Sequence, residues 1–246
     1  MTSITPEFLL AELRRAADVV TGIAATLDDA EVAAPSELPG WTRGHVLAHV
    51  AGIGNAMARQ VEYSARGESI ELYDGGFEGR NRAIELSAGH SAEQHRAAVS
   101  AAIGRALTAF GALDEAGWRK PITFRGGVVF DGGLALWREL TIHATDLGTG
   151  RGPETWGRPF CEHLFEFLAA RVPEGQRFVL QPLGLPSVAI GAAGGRSTAI
   201  NGMLTDIAAW LAGRTPTLGS LRATAAADGV DLPALLPWPA GVPATK

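Results

Sequence analysis

Apolar residues recur at helical spacing through the first two thirds of the chain. In Pro6–Leu27, the residues Phe8, Leu9, Leu13, Val20 and Ile23 fall on one broad face, and Thr5-Pro6 reads as a cap followed by a proline at the first helical position. A loop rich in Ala, Pro and Ser then runs to Pro39-Gly40. The next helix is predicted from Thr42, a good N-cap residue, and carries His45, Val46, His49, Val50, Ile53 and Met57 on neighbouring rows. After a loop containing Gly67, Asp74, Gly75 and Gly76, helical spacing returns from about Glu78 to Glu115, with a break at Gly89-His90-Ser91. Ile122, Phe124, Val128 and Phe130 alternate around Gly126-Gly127, as in a short hairpin or ordered loop. Leu134–Leu147 is strongly helical with Gly148 placed as its C′ residue, and Pro159–Val172 makes one more helix.

The pattern changes after Pro173-Glu174-Gly175. Phe178-Val179-Leu180 and Val188-Ala189-Ile190 are short strand-like runs, and Ile200–Gly213 reads as a compact amphipathic helix. The tail from Arg222 is rich in Ala and Pro. The expected fold is therefore mainly α, with a helical bundle over residues 1–172 and a small α+β domain over 173–246.

Composition narrows what such a fold could do. Of the 246 residues, 46% are hydrophobic and 19% charged, which suits a globular protein with a real core. The net charge of -5 and the lack of a polybasic run exclude a nucleic-acid binder, because nothing would neutralise phosphates. No apolar run approaches the roughly 18 residues that span a bilayer. Met1–Pro6 also lacks a basic segment leading into an apolar one. A cytoplasmic protein without a membrane partner is expected. The single cysteine, Cys161, allows neither an internal disulfide nor a paired-cysteine metal site.

One helix carries the candidate chemistry. Glu139 and His143 are four residues apart, so one turn stacks them on a common face where both can reach one ion. First-row divalent metals accept imidazole nitrogen and carboxylate oxygen, and a third ligand would come from a facing helix. His45 and His49, also four apart, are both candidates. Three protein ligands would leave positions open, as catalytic sites require. Glu139 lies in an otherwise apolar stretch, where a carboxylate needs a cation or a donor. Asp146, three residues past His143, is placed to fix the tautomer of a ligand ring.

Two segments, Gly40-Trp41-Thr42-Arg43-Gly44-His45-Val46-Leu47-Ala48-His49-Val50 and Arg138-Glu139-Leu140-Thr141-Ile142-His143-Ala144-Thr145-Asp146-Leu147-Gly148, resemble the mycothiol-dependent maleylpyruvate isomerases of the DinB-like metal-dependent superfamily. The stretch Asn201-Gly202 to Trp210-Leu211-Ala212-Gly213-Arg214 is similar to the end of that family's C-terminal domain. The resemblance implies a four-helix bundle holding a divalent metal, most often zinc, with the small α+β domain beside it. It implies His49, Glu139 and His143 as the ligands, and leaves His45 a supporting role near the site. It also implies a functional arginine at Arg214, both catalytic and substrate-binding, and Arg82 is a second candidate for a substrate carboxylate.

The implied activity is cis–trans isomerisation of maleylpyruvate to fumarylpyruvate. A thiolate that adds to the conjugated system makes the double bond single, permits rotation, and leaves again. Cys161 sits in an apolar helix with nothing to lower its pKa, so packing is its expected role, and mycothiol supplies the sulfur in the family. An open metal position would hold that thiol deprotonated. The partners are then a small-molecule substrate and a low-molecular-weight thiol. The same residues admit a mycothiol S-transferase that conjugates electrophiles, or a non-catalytic metal-binding regulatory module.

Overall fold

Each amphipathic face finds a partner in the computed structural model, which describes residues 4–225 and 228–239. The chain divides into two compact units, one over Ile4–Gly150 and one beginning at Arg151. The helix expected after Pro159 therefore groups with the sheet that follows it, upstream of the expected boundary at residue 172.

The first unit contains α1 (Pro6–Thr26), α2 (Asp29–Ala33), α3 (Arg43–Ala65), α4 (Gly76–Ser87), α5 (Ala92–Gly111) and α6 (Val129–Asp146). Helices α3 and α1 each pack on both α5 and α6, which closes a four-helix bundle. The faces predicted from spacing are the ones buried: Leu9, Leu13 and Val20 of α1, and Val46, Val50, Ile53 and Met57 of α3. Helix α3 is buried almost all round because α4 covers its remaining side. A Cβ on Gly44 would lie 2.2 Å from the Ala88 carbonyl oxygen, so only glycine admits the chain at the end of α4 this closely. Capping boxes start α2 (Asp28 with Glu31), α3 (Thr42 with His45) and α5 (Ser91 with Gln94).

Helix α6 begins five residues earlier than predicted. Gly132-Gly133, which read as a loop, lie in its first turns, and a Cβ on Gly133 would meet Leu9 Cδ2 at 2.9 Å. The glycines serve close helix packing rather than a turn. Upstream, the stretch expected as a short hairpin or ordered loop holds a single antiparallel bridge, Pro121 to Val128, with 3-10 turns at Gly117–Arg119 and Phe124–Gly126. Gln60 of α3 pins this loop: its carboxamide oxygen accepts from the Thr123 and Phe124 N–H groups, and its nitrogen donates to the Ile70 carbonyl.

The second unit contains α7 (Arg158–Leu168), β1 (Gln176–Pro182), β2 (Val188–Gly191), β3 (Arg196–Gly202), α8 (Leu204–Leu211), β4 (Arg222–Ala225) and β5 (Asp228–Val230). The strands form one sheet in the order β2-β1-β3-β4-β5, with β1 and β3 parallel and the other pairs antiparallel. Helix α8 packs on α7, β1 and β3 through Ile207, Ala208 and Leu211. The helix expected from Ile200 starts at Leu204 instead. Thr198, Ile200 and Gly202 alternate inward as strand β3, a period of two hidden by the small residues between them. The tail from Arg222 supplies two strands where no element was expected. No helix among the described residues is long and apolar enough to cross a membrane.

Candidate functional site

The two motif segments meet where α3 packs on α6. Arg43, just inside the start of α3, donates through Nε to the Leu147 carbonyl at 2.6 Å and through Nη2 to that of Gly148 at 3.0 Å. A cation thus answers the orphan carbonyls at the end of α6. Gly148 takes φ 63°, and a Cβ there would lie 2.9 Å from Glu37 Oε1, so the sequence ends the helix where glycine is required. These contacts hold the two helices in register one to two turns from the candidate ligands.

His49 Nε2 lies 2.8 Å and His143 Nε2 3.1 Å from the same oxygen, Glu139 Oε2. The rings meet edge to face at a centroid distance of 4.6 Å. Their donor atoms lie within 4.8 Å of one another, and among the described residues no other three His, Cys, Asp or Glu side chains converge in this way. His49 is buried, whereas the Glu139 side chain is 32% exposed, so solvent can reach the cluster. Two imidazole nitrogens and one carboxylate oxygen make a donor set that suits zinc or another first-row divalent ion.

Behind the cluster, Asp146 Oδ2 lies 2.8 Å from His143 Nδ1, and Asp146 is fully buried. Burial disfavours the charged His143 ring, but hydrogen bonds to Asp146 and Glu139 outweigh it and bring its pKa up to about 9. Burial acts the other way on Glu139, yet the hydrogen bonds from His143 and His49 hold its carboxyl well below the usual range. His49 is pushed down, chiefly by burial.

His45 does not join the cluster. Its Nδ1 accepts from the Thr42 N–H at 3.2 Å as the far half of the α3 capping box, and its ring stacks on Trp41. Trp41 also meets the His49 ring edge-on at 6.0 Å, so the tryptophan lies against both histidines. Arg82 stands exposed on α4, paired with Glu78 at 3.6 Å. Arg80 takes the position nearer the chemistry, with Nη2 3.1 Å from His49 Nδ1. Helical phase distinguishes the two: Arg80 is four residues before Ile84, the buried residue of α4, and Arg82 is not on that row.

Spacing also gave no sign of Tyr73, Arg125 and Arg138. Tyr73 is half-buried, and burial pushes its hydroxyl up to about 12. Arg138 is buried beside Glu139 in sequence, and burial brings its guanidinium down to about 9. Arg125 feels the Glu139 charge and holds a left-handed backbone, φ 55°, the one such non-glycine residue among those described. Together, His49, Tyr73, Arg80, His90 and His95 border a cavity of about 280 Å³ between α3, α4 and α5. In the second unit, Arg214 follows α8 and donates through Nη1 to the Ala212 carbonyl at 2.9 Å. Cys161 is buried in α7, and burial pushes its thiol up to about 12.

Comparison with known proteins agrees with this architecture. The profile of the mycothiol maleylpyruvate isomerase N-terminal domain matches residues 13–148, more than half of the chain, and that of the MDMPI C-terminal domain matches residues 155–237. Two solved structures share the fold: the crystal structure of the mycothiol-dependent maleylpyruvate isomerase, and that of a histidine-to-alanine mutant. Each is 23% identical, has a TM-score of 0.82, and covers 96% of this chain and 99% of its own. No curated protein matches the chain. With both of its domain profiles matched in order along the chain, the protein belongs to the mycothiol maleylpyruvate isomerase family.

Proposed function

We propose that this protein is a metal- and thiol-dependent isomerase that converts maleylpyruvate to fumarylpyruvate. The observation that carries the reading is the convergence of His49, Glu139 and His143 on one point that solvent reaches, with Asp146 behind, in a chain of this family. When bound, a divalent metal such as zinc would hold the thiol of mycothiol as its thiolate near neutral pH, ready to add to and leave the conjugated double bond.

The chain's own residues have separable roles in this reading. His49 and His143 supply Nε2, and Glu139 supplies a carboxylate oxygen whose charge partly neutralises the ion. Asp146 accepts a hydrogen bond from His143 Nδ1–H, keeps the proton on that nitrogen and thereby directs the Nε2 lone pair at the cluster. Arg214 is assigned to a substrate carboxylate, where its planar fork would orient the dicarboxylate. Cys161 is unsuited to the nucleophile's part, since its thiol is buried and stays protonated at neutral pH.

The reading is tested by following maleylpyruvate conversion with and without mycothiol, in metal-loaded and metal-stripped protein. Conversion that needs both is expected. Conversion at equal rate without the thiol contradicts the proposal. Stable thiol conjugates of other electrophiles, with no isomerisation, would instead assign the scaffold to S-transfer.

A further inference from the structure

The two histidines of the cluster are backed by opposite chemistry. Behind His143 stands an acceptor, Asp146, the usual partner of a metal-ligating imidazole. Behind His49 stands Arg80, with Nη2 3.1 Å from Nδ1. A guanidinium has five N–H donors and no acceptor. The contact therefore requires a lone pair on His49 Nδ1, which places the ring proton on Nε2, facing Glu139 Oε2.

That arrangement is self-consistent only while Nε2 keeps its proton. A neutral ring that gives its Nε2 lone pair to a cation carries its proton on Nδ1, and there it would point a donor at the donors of Arg80. Something must then change on the Nδ1 side. An acceptor placed between the two groups satisfies both, and a carboxylate is the acceptor whose geometry fits a guanidinium fork.

The surroundings have room and the right sign for such a group. The cavity of about 280 Å³ borders both His49 and Arg80, and no Asp or Glu lines it. Among the described residues Arg80 pairs with no carboxylate, whereas its neighbours Arg59 and Arg82 are paired with Asp74 and Glu78. The other arm of Arg80 donates to Asn81 Oδ1 at 2.8 Å, and Tyr73 lines the same cavity, where its hydroxyl feels the Arg80 charge. Ala48, Ile53, Ala83 and Ile84 form apolar walls suited to a short carbon chain.

We propose that Arg80 and His49 form a binding site for a small carboxylate on the cavity side of the cluster, and that filling this site and loading the metal reinforce each other. The carboxylate accepts from His49 Nδ1–H and from the Arg80 guanidinium, and so gives His49 the backing that Asp146 gives His143. By linkage, whatever the anion does for metal affinity the metal does for anion affinity. The proposal rests on the cluster being a metal site.

Zinc titration of the full chain tests it, with free zinc fixed by a metal buffer and acetate compared with chloride at equal ionic strength. In the wild type, acetate is expected to tighten zinc binding about five-fold or more. In Arg80→Met the acetate effect disappears, and zinc without acetate binds several-fold more tightly than to the wild type, because no cation opposes Nδ1–H. Arg80→Lys, which keeps the charge but not the fork, retains a reduced acetate effect. An acetate effect of full size in Arg80→Met would mean that acetate acts elsewhere and overturns the proposal, as does a wild type whose zinc affinity ignores acetate. A wild type that binds no zinc overturns the metal reading along with this one, so the two failures are told apart.

Discussion

Among the described residues each unit buries one carboxylate completely, and the two sit in different surroundings. Asp146, in the last turn of α6, directs an oxygen at the His143 ring. Asp206, in the first turn of α8, accepts from the Leu218 N–H at 3.1 Å, the Ser220 N–H at 2.9 Å and the Ser220 hydroxyl at 2.7 Å. The Ser220 oxygen in turn accepts from the Met203 N–H at 2.8 Å, which closes the loop onto the start of α8. Asp206 is thus satisfied by groups that have no chemistry of their own, and its role is the fold. Asp146 is partnered by a side chain that itself points to a shared locus, and in the proposed function its role is the site. Burial alone does not separate a functional carboxylate from a structural one; the identity of its donors does.

The largest expected effect falls on the site side. Glu139→Gln keeps the shape of the cluster but removes its only carboxylate, and the protein should retain no zinc after dialysis, as measured by metal analysis. Its metal-free thermal midpoint should stay near that of the metal-free wild type. Stoichiometric zinc in this variant would place the metal elsewhere. On the fold side, Asp206→Ala strands the buried donors of Leu218 and Ser220 and should cost about 3 kcal/mol in urea unfolding.

The comparison also has a pH signature. Burial alone would raise the Asp206 carboxyl, but the donors from Ser220 and Leu218 outweigh it and hold it below its ordinary value. A group depressed in the folded state adds stability above its unfolded pKa of about 3.9, and that stability is lost as pH falls through the lower folded value. Wild-type stability should therefore fall more steeply below about pH 4 than that of Asp206→Asn, measured by unfolding at stepped pH. Parallel curves would mean that the Asp206 network contributes nothing.

Asp146→Asn sharpens the contrast with a smaller effect. It should weaken zinc binding by about 10–100-fold while leaving the ligands in place. Smallest of all, Arg82→Ala removes an exposed pair on α4 and should change stability by less than about 1 kcal/mol and zinc affinity not at all.

Much of this was legible from residues alone, for identifiable reasons. Helices whose buried faces repeat every three or four positions, such as α1 and α3, announce themselves in the pattern. So do Glu139 and His143, because one turn of helix is a fixed geometry. The β3 strand escaped because Ser197, Ala199 and Asn201 give its outward face no contrast with the inward one. The start of α6 escaped because Gly132-Gly133 signal a turn in sequence and a close helix contact in space. Arg80 reaches His49 from α4 and Tyr73 lines the adjoining cavity from the loop before it, and their placement depends on how α4 docks on α3, which no local spacing encodes.

In the proposed function, His49, Glu139 and His143 hold one divalent metal. Crystals of the protein grown with zinc and measured on either side of the zinc absorption edge test it most directly. One anomalous peak within bonding distance of His49 Nε2, Glu139 and His143 Nε2 is the predicted result. A cluster that keeps its direct His–Glu hydrogen bonds in zinc-saturated crystals, with no peak between them, would contradict it.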